Sequence, residues 1–404
     1  MAKQKQKVIV AMSGGVDSSV SAYLLKKKGY EVEGLFMKLG HEQDEVERAV
    51  REVAEKLGVK LNIVDLSKAF KKEVIDYFLK SYQSGLTPNP CVKCNNYIKF
   101  GELFFYTREK LKGDYLATGH YVRKLDSREF KVPSGGDLGV GNMRDIKKSL
   151  GNSNGYKLYR GKDKGKDQSY FLYTLKQDTL RHVLFPVGNF VKDEVRKIAD
   201  EAGVPYIKKE SQDICFLYCD GRAVQHNEFL RANLKLKPGP IILLSRRDEA
   251  LPRLKRGKTV NEEQDEALPR LYRGIKIGEH QGLPLYTIGQ RREIRIGGTG
   301  PYYAARLDYK KNILYVVKDY DDPILYGQEL TATEVNWVSG KSPELPFSCE
   351  AVIRYRHPAV KCLITKKVKN NYQVEFKKPQ RAITPGQSIV FYKGNEVLGG
   401  GIIF

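Results

Sequence analysis

The chain has 404 residues, 41% of them hydrophobic, and 70 Lys and Arg against 48 Asp and Glu give it a formal net charge of +22. That length and apolar content exclude a disordered polymer and predict two or three packed domains, while the charge points to a polyanionic partner held through phosphate contacts. Six cysteines (91, 94, 215, 219, 349 and 362) are too few for a disulfide scaffold, and the absence of a long apolar run or an h-region after Met-Ala-Lys-Gln-Lys predicts a cytoplasmic protein with no membrane contact.

The first element is the most informative. The run Val8-Ile9-Val10-Ala11-Met12 stops at Ser13-Gly14-Gly15-Val16-Asp17-Ser18-Ser19, after which Val20, Leu24 and Leu25 fall at helical spacing up to Gly29. The pattern predicts strand, tight turn, helix. Two glycines let the backbone turn sharply. The N–H groups of the turn and first helical turn lack intrahelical partners and form a nest for phosphate or pyrophosphate at the positive end of the helix dipole. A Walker A loop is excluded, because it needs a Lys that this turn lacks. Ser-Gly-Gly-x-Asp-Ser resembles instead the pyrophosphate loop of the N-type ATP pyrophosphatases (the PP-loop superfamily), which implies cleavage of ATP to AMP and pyrophosphate by adenylation of an oxygen.

Further along, a strand is predicted over 31–37, ending at Met37. Val46, Ala49, Val50, Val53, Ala54 and Leu57 mark an amphipathic helix closed by Gly58. A strand over 61–64, a helix over 70–82 and a strand over 115–118 follow. This alternation predicts a doubly wound parallel α/β sheet with ligands beyond the carboxyl ends of its strands, at the opening loop, Met37 and Thr118-Gly119-His120. His120 either caps its loop or acts directly. In Thr87-Pro88-Asn89-Pro90-Cys91-Val92-Lys93-Cys94-Asn95 two prolines argue against regular helix. The next helix is expected to begin near Asn95 or Asn96, and Cys91 and Cys94, near its N-terminus, would have lowered thiol pKa values.

Residues 127–155 are rich in Gly, Ser, Lys and Asp without periodicity and read as an insert. Val195, Ile198 and Ala199 mark another helix, closed by Gly203. From about 220 the pattern changes. A strand over 241–244 precedes a direct repeat, Asp248–Gly257 and Asp265–Gly274, which makes 246–277 a duplicated surface hairpin rather than a solenoid. Short β-prone runs over 312–317, 350–355, 362–368, 372–376 and 388–392, with Gly394-Asn395 as a hairpin turn, predict a small C-terminal β-barrel. Arg354 and Tyr355 would alternate on a strand, so only one of them can face a ligand. The expected division is 1–215, 216–300 and 301–404.

The thiols supply no paired zinc motif, and the Pro-rich lead-in does not suit a thioredoxin-type dithiol. Cys349 and Cys362 read as buried small hydrophobes in barrel strands, and Cys219 as a core residue one helical turn from Cys215. Cys94 and Cys215 remain as a distant pair that folding could bring together. With an adenylating loop and a polyanionic partner they point to one reaction class: ATP activates a carbonyl oxygen of a nucleic acid, and cysteine-borne sulfur replaces it.

At this point the chain resembles the bacterial tRNA-specific 2-thiouridylase family over nearly its whole length. The stretches that carry the resemblance are Ser13–Ser19, Thr87–Asn95 with Ile98-Lys99-Phe100, Ala117–Tyr121, Lys166–Tyr173, Phe185–Gly188, Ile214-Cys215-Phe216, Gly278–Gly282, Thr287–Arg291, Thr384-Pro385-Gly386-Gln387 and Leu398–Ile402. The resemblance implies an adenine nucleotide alpha hydrolase-like fold followed by a central tRNA-binding domain and a β-barrel. It implies that Ala11, Met12, Ser13, Gly14, Gly15, Val16, Asp17, Ser18, Met37 and Gly119 bind ATP, accompanied by Mg²⁺. Asn89, Pro90 and Cys91 would lie against the wobble uridine of tRNA, and Lys166, Asp167, Gln168, Arg354 and Tyr355 would contact the tRNA. Cys215 would carry a persulfide delivered by an upstream sulfur carrier and cysteine desulfurase relay. Cys94 would be the second nucleophile, closing a transient Cys94–Cys215 disulfide. The family commonly has Asp where this chain has Cys91. That leaves the proton acceptor unassigned and makes Cys91, Cys94 and Cys215 candidate ligands of an iron–sulfur (4Fe-4S) cluster with one open iron. The competing reading is an amide-forming ligase of the same superfamily acting on a small molecule, which needs neither the basic charge nor the thiols.

Overall fold

The computed structural model describes residues 5–40, 44–126, 155–207, 214–219, 222–246, 262–263, 272–294, 296, 300–369 and 371–404. The insert at 127–155 lies outside them save for Gly155, as do most of the insert at 246–277 and the repeat within it.

The N-terminal sheet is parallel throughout. Strands β1 (Lys7–Ala11), β2 (Glu31–Lys38), β3 (Lys60–Asp65), β4 (Tyr115–Ala117) and a short strand Val183–Leu184 stand in the order β3-β2-β1-β4 with Val183–Leu184 outermost. The β-branched run that begins the chain forms its centre because both faces are covered. Ile9 faces one apolar cluster, Val8 and Val10 face the other, and all three are fully buried. Helices α1 (Val16–Lys27) and α2 (Asp44–Leu57), together with the helix Lys192–Glu201, cover the Val8 face through Val20, Val53 and Val195. The Ile9 face is covered by α3 (Ser67–Phe70), which runs through a π-helical turn, Lys71–Ile75, into α4 (Asp76–Gln83). It is also covered by α5 (Pro90–Lys93), running through a second π-helical stretch, Cys94–Glu102, into α6 (Leu103–Glu109). The order of strands switches direction between β1 and β4, which places the crevice for a ligand between the loops that leave them.

One expectation fails here. The helix carrying both cysteines begins at Pro90, not near Asn95. Proline is well suited to the first helical position, where its missing N–H has no partner to lose and its fixed φ is already helical. Asn89, in extended backbone, is the residue before it.

Strands β5 (Val122–Asp126) and β6 (Tyr156–Arg160) leave this sheet and pair with each other, and β6 pairs with the last strand of the chain. Val183–Leu184 becomes β7. Tyr218–Cys219 (β8) and Arg222–Ala223 (β9) make a small ribbon, so Cys219 lies on a strand and not on the helical turn expected of it. A middle sheet follows, in the order β11-β12-β10-β14-β13, from β10 (Gly239–Arg246), β11 (Glu262–Glu263), β12 (Tyr272–His280), β13 (Tyr303–Asp308) and β14 (Ile313–Val317). The run over 312–317, grouped by its β pattern with the C-terminal strands, therefore belongs to the middle unit: Ile241, Ile242 and Leu243 pair with Leu314, Tyr315 and Val316. Periodicity identifies a strand but not its partner across seventy residues of chain.

The C-terminal strands close a barrel. In order they are β15 (Tyr326–Trp337), β18 (Asn371–Arg381), β17 (Val360–Val368), β16 (Phe347–Val352), β19 (Ser388–Lys393) and β20 (Glu396–Ile403), and β20 returns to pair with β15. Trp337 stacks on Phe391 inside, 5.5 Å between centroids. Arg354 and Tyr355 fall in the turn after β16 and not on a strand. Closure depends on the glycines of β20. A Cβ at Gly400 would lie 2.5 Å from the Ile389 carbonyl oxygen and 2.8 Å from the Tyr173 ring. Gly400→Ala should therefore destabilise the protein by about 1–3 kcal/mol through overpacking, read as a lower thermal midpoint. An unchanged midpoint would contradict the closure described here.

Candidate active site

The loop after β1 has the predicted form. Gly14 adopts φ +75° and Gly15 precedes the first residue of α1. The Ser13 N–H donates to Ser18 Oγ at 3.1 Å, the Ser13 and Ser18 hydroxyls share a hydrogen bond at 3.2 Å, and Ser18 Oγ donates to the Gly15 carbonyl at 3.0 Å. The turn is thus stitched from within. Met12 and Val16 are buried, and the Met12 N–H is already donated to the Leu35 carbonyl at 2.9 Å. Ile207 closes the back of the loop, its N–H donating to the Gly14 carbonyl at 2.9 Å.

Gly119 lies against this loop. A Cβ at position 119 would stand 2.8 Å from the Asp17 carbonyl carbon and 2.9 Å from the Ser18 nitrogen. Only glycine lets the Thr118-Gly119-His120 segment pass over the first turn of α1. Met37, at the far end of β2, is half-buried against the apolar cluster on the Ile9 face.

Two groups that the sequence did not single out complete the mouth of the loop. Lys192 Nζ reaches both carboxylate oxygens of Asp17, at 2.9 and 2.8 Å, and the Tyr121 hydroxyl donates to Asp17 Oδ1 at 2.6 Å. Burial raises the Tyr121 hydroxyl far above its usual value, and the Asp17 charge beside it adds to that. Lys192 lies 175 residues from Asp17 in the chain, and no local pattern signals the pair.

Cys94 lies near enough to Cys215 and Cys91 for their charges to act on it. Cys94 is buried, Cys91 half-buried and Cys215 exposed. Burial pushes the Cys94 thiol up to about 12, and a negative charge on Cys215 or Cys91 would push it further, while Lys99 pulls it down. The lowered pKa expected of a cysteine near a helix N-terminus is therefore overturned at Cys94: desolvation outweighs the dipole. The Cys215 thiol is raised too, by the protein crowded around it, and is likewise lowered by Lys99. The crowding and the exposure of Cys215 pull in opposite directions; exposure governs access, and Cys215 is the reachable thiol. Its neighbour Phe216 anchors it, packed edge-on against Phe78 at 5.2 Å and Phe70 at 5.9 Å.

Lys99 is the third functional group missed as an individual residue. Its Nζ is 3.5 Å from His120 Nε2, and His120 Nδ1 is 2.7 Å from Thr118 Oγ1. Burial, followed by the Lys99 charge, holds His120 well below its usual value, so the imidazole is neutral at physiological pH. One cation thus faces His120 and acts electrostatically on both the Cys94 and the Cys215 thiol.

The residues assigned to tRNA divide. Asn89 hydrogen-bonds Tyr170. Tyr355 packs on Phe171 with centroids 4.4 Å apart, and Arg354 donates to Thr384 Oγ1 at 3.2 Å. Gln168 Oε1 accepts from the Tyr121 N–H at 3.0 Å, and Lys166 sits in the turn after Asp163. Asp167 has an internal role instead. It is buried, accepts from the Gly161 and Ser169 N–H groups and from Ser169 Oγ, and pairs with Arg160 at 3.0 Å. Those bonds fill the carboxylate's acceptor positions. Among the described residues no three His, Cys, Asp or Glu side chains are gathered as a metal site, so Cys91, Cys94 and Cys215 do not form a cluster-binding set in this arrangement.

Thiol reactivity tests the electrostatics. Iodoacetamide should modify Cys215 well before Cys94 at neutral pH. Because the Cys94 pKa is raised, its rate should climb about tenfold per pH unit and level off only near the value of about 12. Lys99→Met should slow both. Mass mapping of the alkylated peptides reads this directly, and faster modification of Cys94 than of Cys215 would contradict it.

The chain matches the family described as tRNA methyl transferase HUP domain over residues 6–219. It matches the tRNA methyl transferase PRC-barrel domain over 258–318 and the Aminomethyltransferase beta-barrel domain over 327–403. It is 40% identical to the tRNA-specific 2-thiouridylase MnmA of Idiomarina loihiensis over 417 residues, spanning 100% of this chain and 97% of that protein. The enzyme of the same name from Vibrio cholerae is 38% identical over 416 residues, spanning 100% of this chain and 97% of that one. Among solved structures, the U34-tRNA thiolase NcsA of Methanococcus maripaludis with its 4Fe-4S cluster aligns at a TM-score of 0.31 and 22% identity, covering 57% of this chain and 64% of that chain. That likeness is too weak to carry a conclusion. Among the described residues no helix is long and apolar enough to cross a membrane. On full-length relatives of this identity, the chain belongs to the tRNA-specific 2-thiouridylase family.

Proposed function

We propose that this chain is a tRNA 2-thiouridylase, a sulfurtransferase that uses ATP to replace the C2 oxygen of a wobble uridine by sulfur. The observation that carries the reading is the approach of Gly119 to the loop after β1 and of His120 to Lys99, whose charge acts on both the Cys94 and the Cys215 thiol. Activation and sulfur delivery then share one crevice.

In this reading the turn from Ala11 to Ser18 cradles the phosphates, with Met37 and Gly119 toward the adenine side. Uracil O2 attacks the α-phosphorus, pyrophosphate leaves, and the N3 proton is released. Mg²⁺ would travel with the nucleotide on phosphate oxygens and water. Asp17, whose carboxylate oxygens are already held by Lys192 and Tyr121, fits a role as an organiser of the mouth better than that of a metal ligand. Cys215, the exposed thiol, receives sulfane sulfur from a cysteine desulfurase relay. The terminal persulfide sulfur attacks C2, and AMP departs with the former O2. The C2–S–S–Cys215 linkage breaks when the Cys94 sulfur attacks the Cys215 sulfur, which forms the Cys94–Cys215 disulfide and releases 2-thiouridine. An external thiol reductant then restores both cysteines. Attack by Cys94 before transfer would instead free sulfide for the same displacement. Lys99 faces the anionic sulfur at either stage. No step passes through an iron–sulfur cluster.

Asn89, Pro90 and Cys91 would border the uridine. Lys166, Gln168, Arg354 and Tyr355 would contact tRNA, with the +22 charge supplying long-range attraction. The Cys94 and Cys215 thiols, not bridged to each other, suit the reducing cytoplasm. An amide ligase would use the loop but would leave Cys94, Cys215 and Lys99 without work.

Pyrophosphate release from ATP should depend on tRNA, and the tRNA should gain the mass of sulfur for oxygen when a persulfide donor is present. Cys215→Ser and Cys94→Ser should each retain ATP binding and lose thiolation by about 10³-fold or more, as expected when an essential nucleophile is removed. Pyrophosphate release that ignores tRNA would contradict the reading.

A further inference from the structure

The Thr384-Pro385-Gly386-Gln387 and Thr287-Ile288-Gly289-Gln290 stretches take no part in the chemistry above, yet both converge on one residue of the N-terminal unit, Thr87. The Thr87 N–H donates to the Pro385 carbonyl at 2.9 Å, and the Thr87 carbonyl accepts from Gln387 Nε2 at 3.0 Å. Its hydroxyl shares a hydrogen bond with Thr287 Oγ1 at 3.3 Å. The barrel thus holds both main-chain groups and the middle unit holds the side chain.

Both grips are rigid. Gly386 has φ +91°, and a Cβ there would stand 2.8 Å from the Thr87 nitrogen and 3.0 Å from its oxygen, so the close approach requires glycine. The Gly386 N–H donates to the Ile403 carbonyl and the Ile403 N–H to the Gln387 carbonyl, each at 2.8 Å, which fastens the turn to β20. The Thr287 N–H donates to Gln290 Oε1 at 3.1 Å, and the Gln290 amide donates to the Arg292 carbonyl at 2.9 Å. On the near side Tyr309 of the middle unit donates its hydroxyl to the Tyr82 carbonyl at 2.9 Å. On the far side Tyr170, the partner of Asn89, donates to the Ser388 carbonyl of the barrel at 2.8 Å. Between Thr87 and the helix bearing Cys91 and Cys94, which opens at Pro90, lie only Pro88 and Asn89. Two prolines in that step remove slack, so a shift at Thr87 is passed to the cysteines.

We propose that Gln387 and Thr287 are positioning residues: through Thr87 they hold the Asn89–Cys94 segment in register with the ATP loop. The two units expected to carry tRNA surface thereby set the geometry of sulfur transfer. The inference rests on the thiolation reading above.

Gln387→Glu keeps the size and removes the donor facing the Thr87 carbonyl. Thr287→Val removes the hydroxyl, and Thr287→Ser restores it. The full chain is assayed for thiolation with tRNA, ATP and a persulfide donor, and separately for the alkylation rate of Cys94 without tRNA. For Gln387→Glu and Thr287→Val the expected result is a fall in kcat of about 10- to 100-fold, the scale of a small misplacement of reacting groups. KM for ATP should stay within about two-fold, since binding is untouched, and Cys94 alkylation should speed up. Thr287→Ser should behave as the parent does in both assays. Unchanged kcat in either variant, or a lower kcat with unchanged Cys94 alkylation, overturns the proposal. A parent chain that never thiolates tRNA defeats the functional reading instead, and the alkylation rates then still decide the positioning claim on their own.

Discussion

The backbone at Gly119 passes so near the first turn of α1 that a Cβ would lie 2.9 Å from the Ser18 nitrogen. This approach ties the end of β4 to the end of β1, across the point where the strand order reverses. It fixes where His120 sits, and His120 in turn faces Lys99 at 3.5 Å. The turn after β1 and the cysteine-bearing helix are therefore linked through the Gly119 main chain and the His120–Lys99 side-chain contact. Burial of β1 on both faces makes that arrangement stiff, because neither strand end can move without opening an apolar cluster.

The two thiols are treated differently by the fold. Cys94 is buried and kept neutral, whereas Cys215 is presented at the surface beside the anchored Phe216. In the proposed reading, the exposed sulfur accepts cargo from another protein, while the buried, protonated one is spared from side reactions. The same low dielectric that raises the Cys94 thiol strengthens the pull of Lys99 on any anionic sulfur nearby. The overall charge of +22 acts at longer range and serves encounter with a polyanion more than chemistry.

Much of this was legible in the residues themselves. Val8–Met12 followed by Ser-Gly-Gly predicts a central strand and an anion-binding turn because period, turn residues and helix start agree. The amphipathic helix ending at Gly58 and the hairpin at Gly394-Asn395 are equally local signals, and both stand where expected. What the sequence hid is set by partners far away in the chain. The strand Ile313–Val317 joins the middle sheet, and β5 and β6 attach to β20. Pairing of that kind leaves no trace in periodicity. Pro90 misled because proline breaks a helix interior yet opens a helix well.

The candidate site was legible as a list of residue types and not as an electrostatic arrangement. Ser13–Ser18, Cys94 and Cys215 follow from motif chemistry. That Asp17 is already paired with Lys192, that Asp167 is consumed internally by Arg160 and Ser169, and that Cys94 is raised instead of lowered all depend on burial. The central claim is that ATP activates the very oxygen that sulfur replaces. A tRNA carrying heavy oxygen at uracil O2 of the wobble position tests it most directly. After one turnover the account predicts that the label is found in AMP; a label released as water, or retained in the thiolated tRNA, would contradict it.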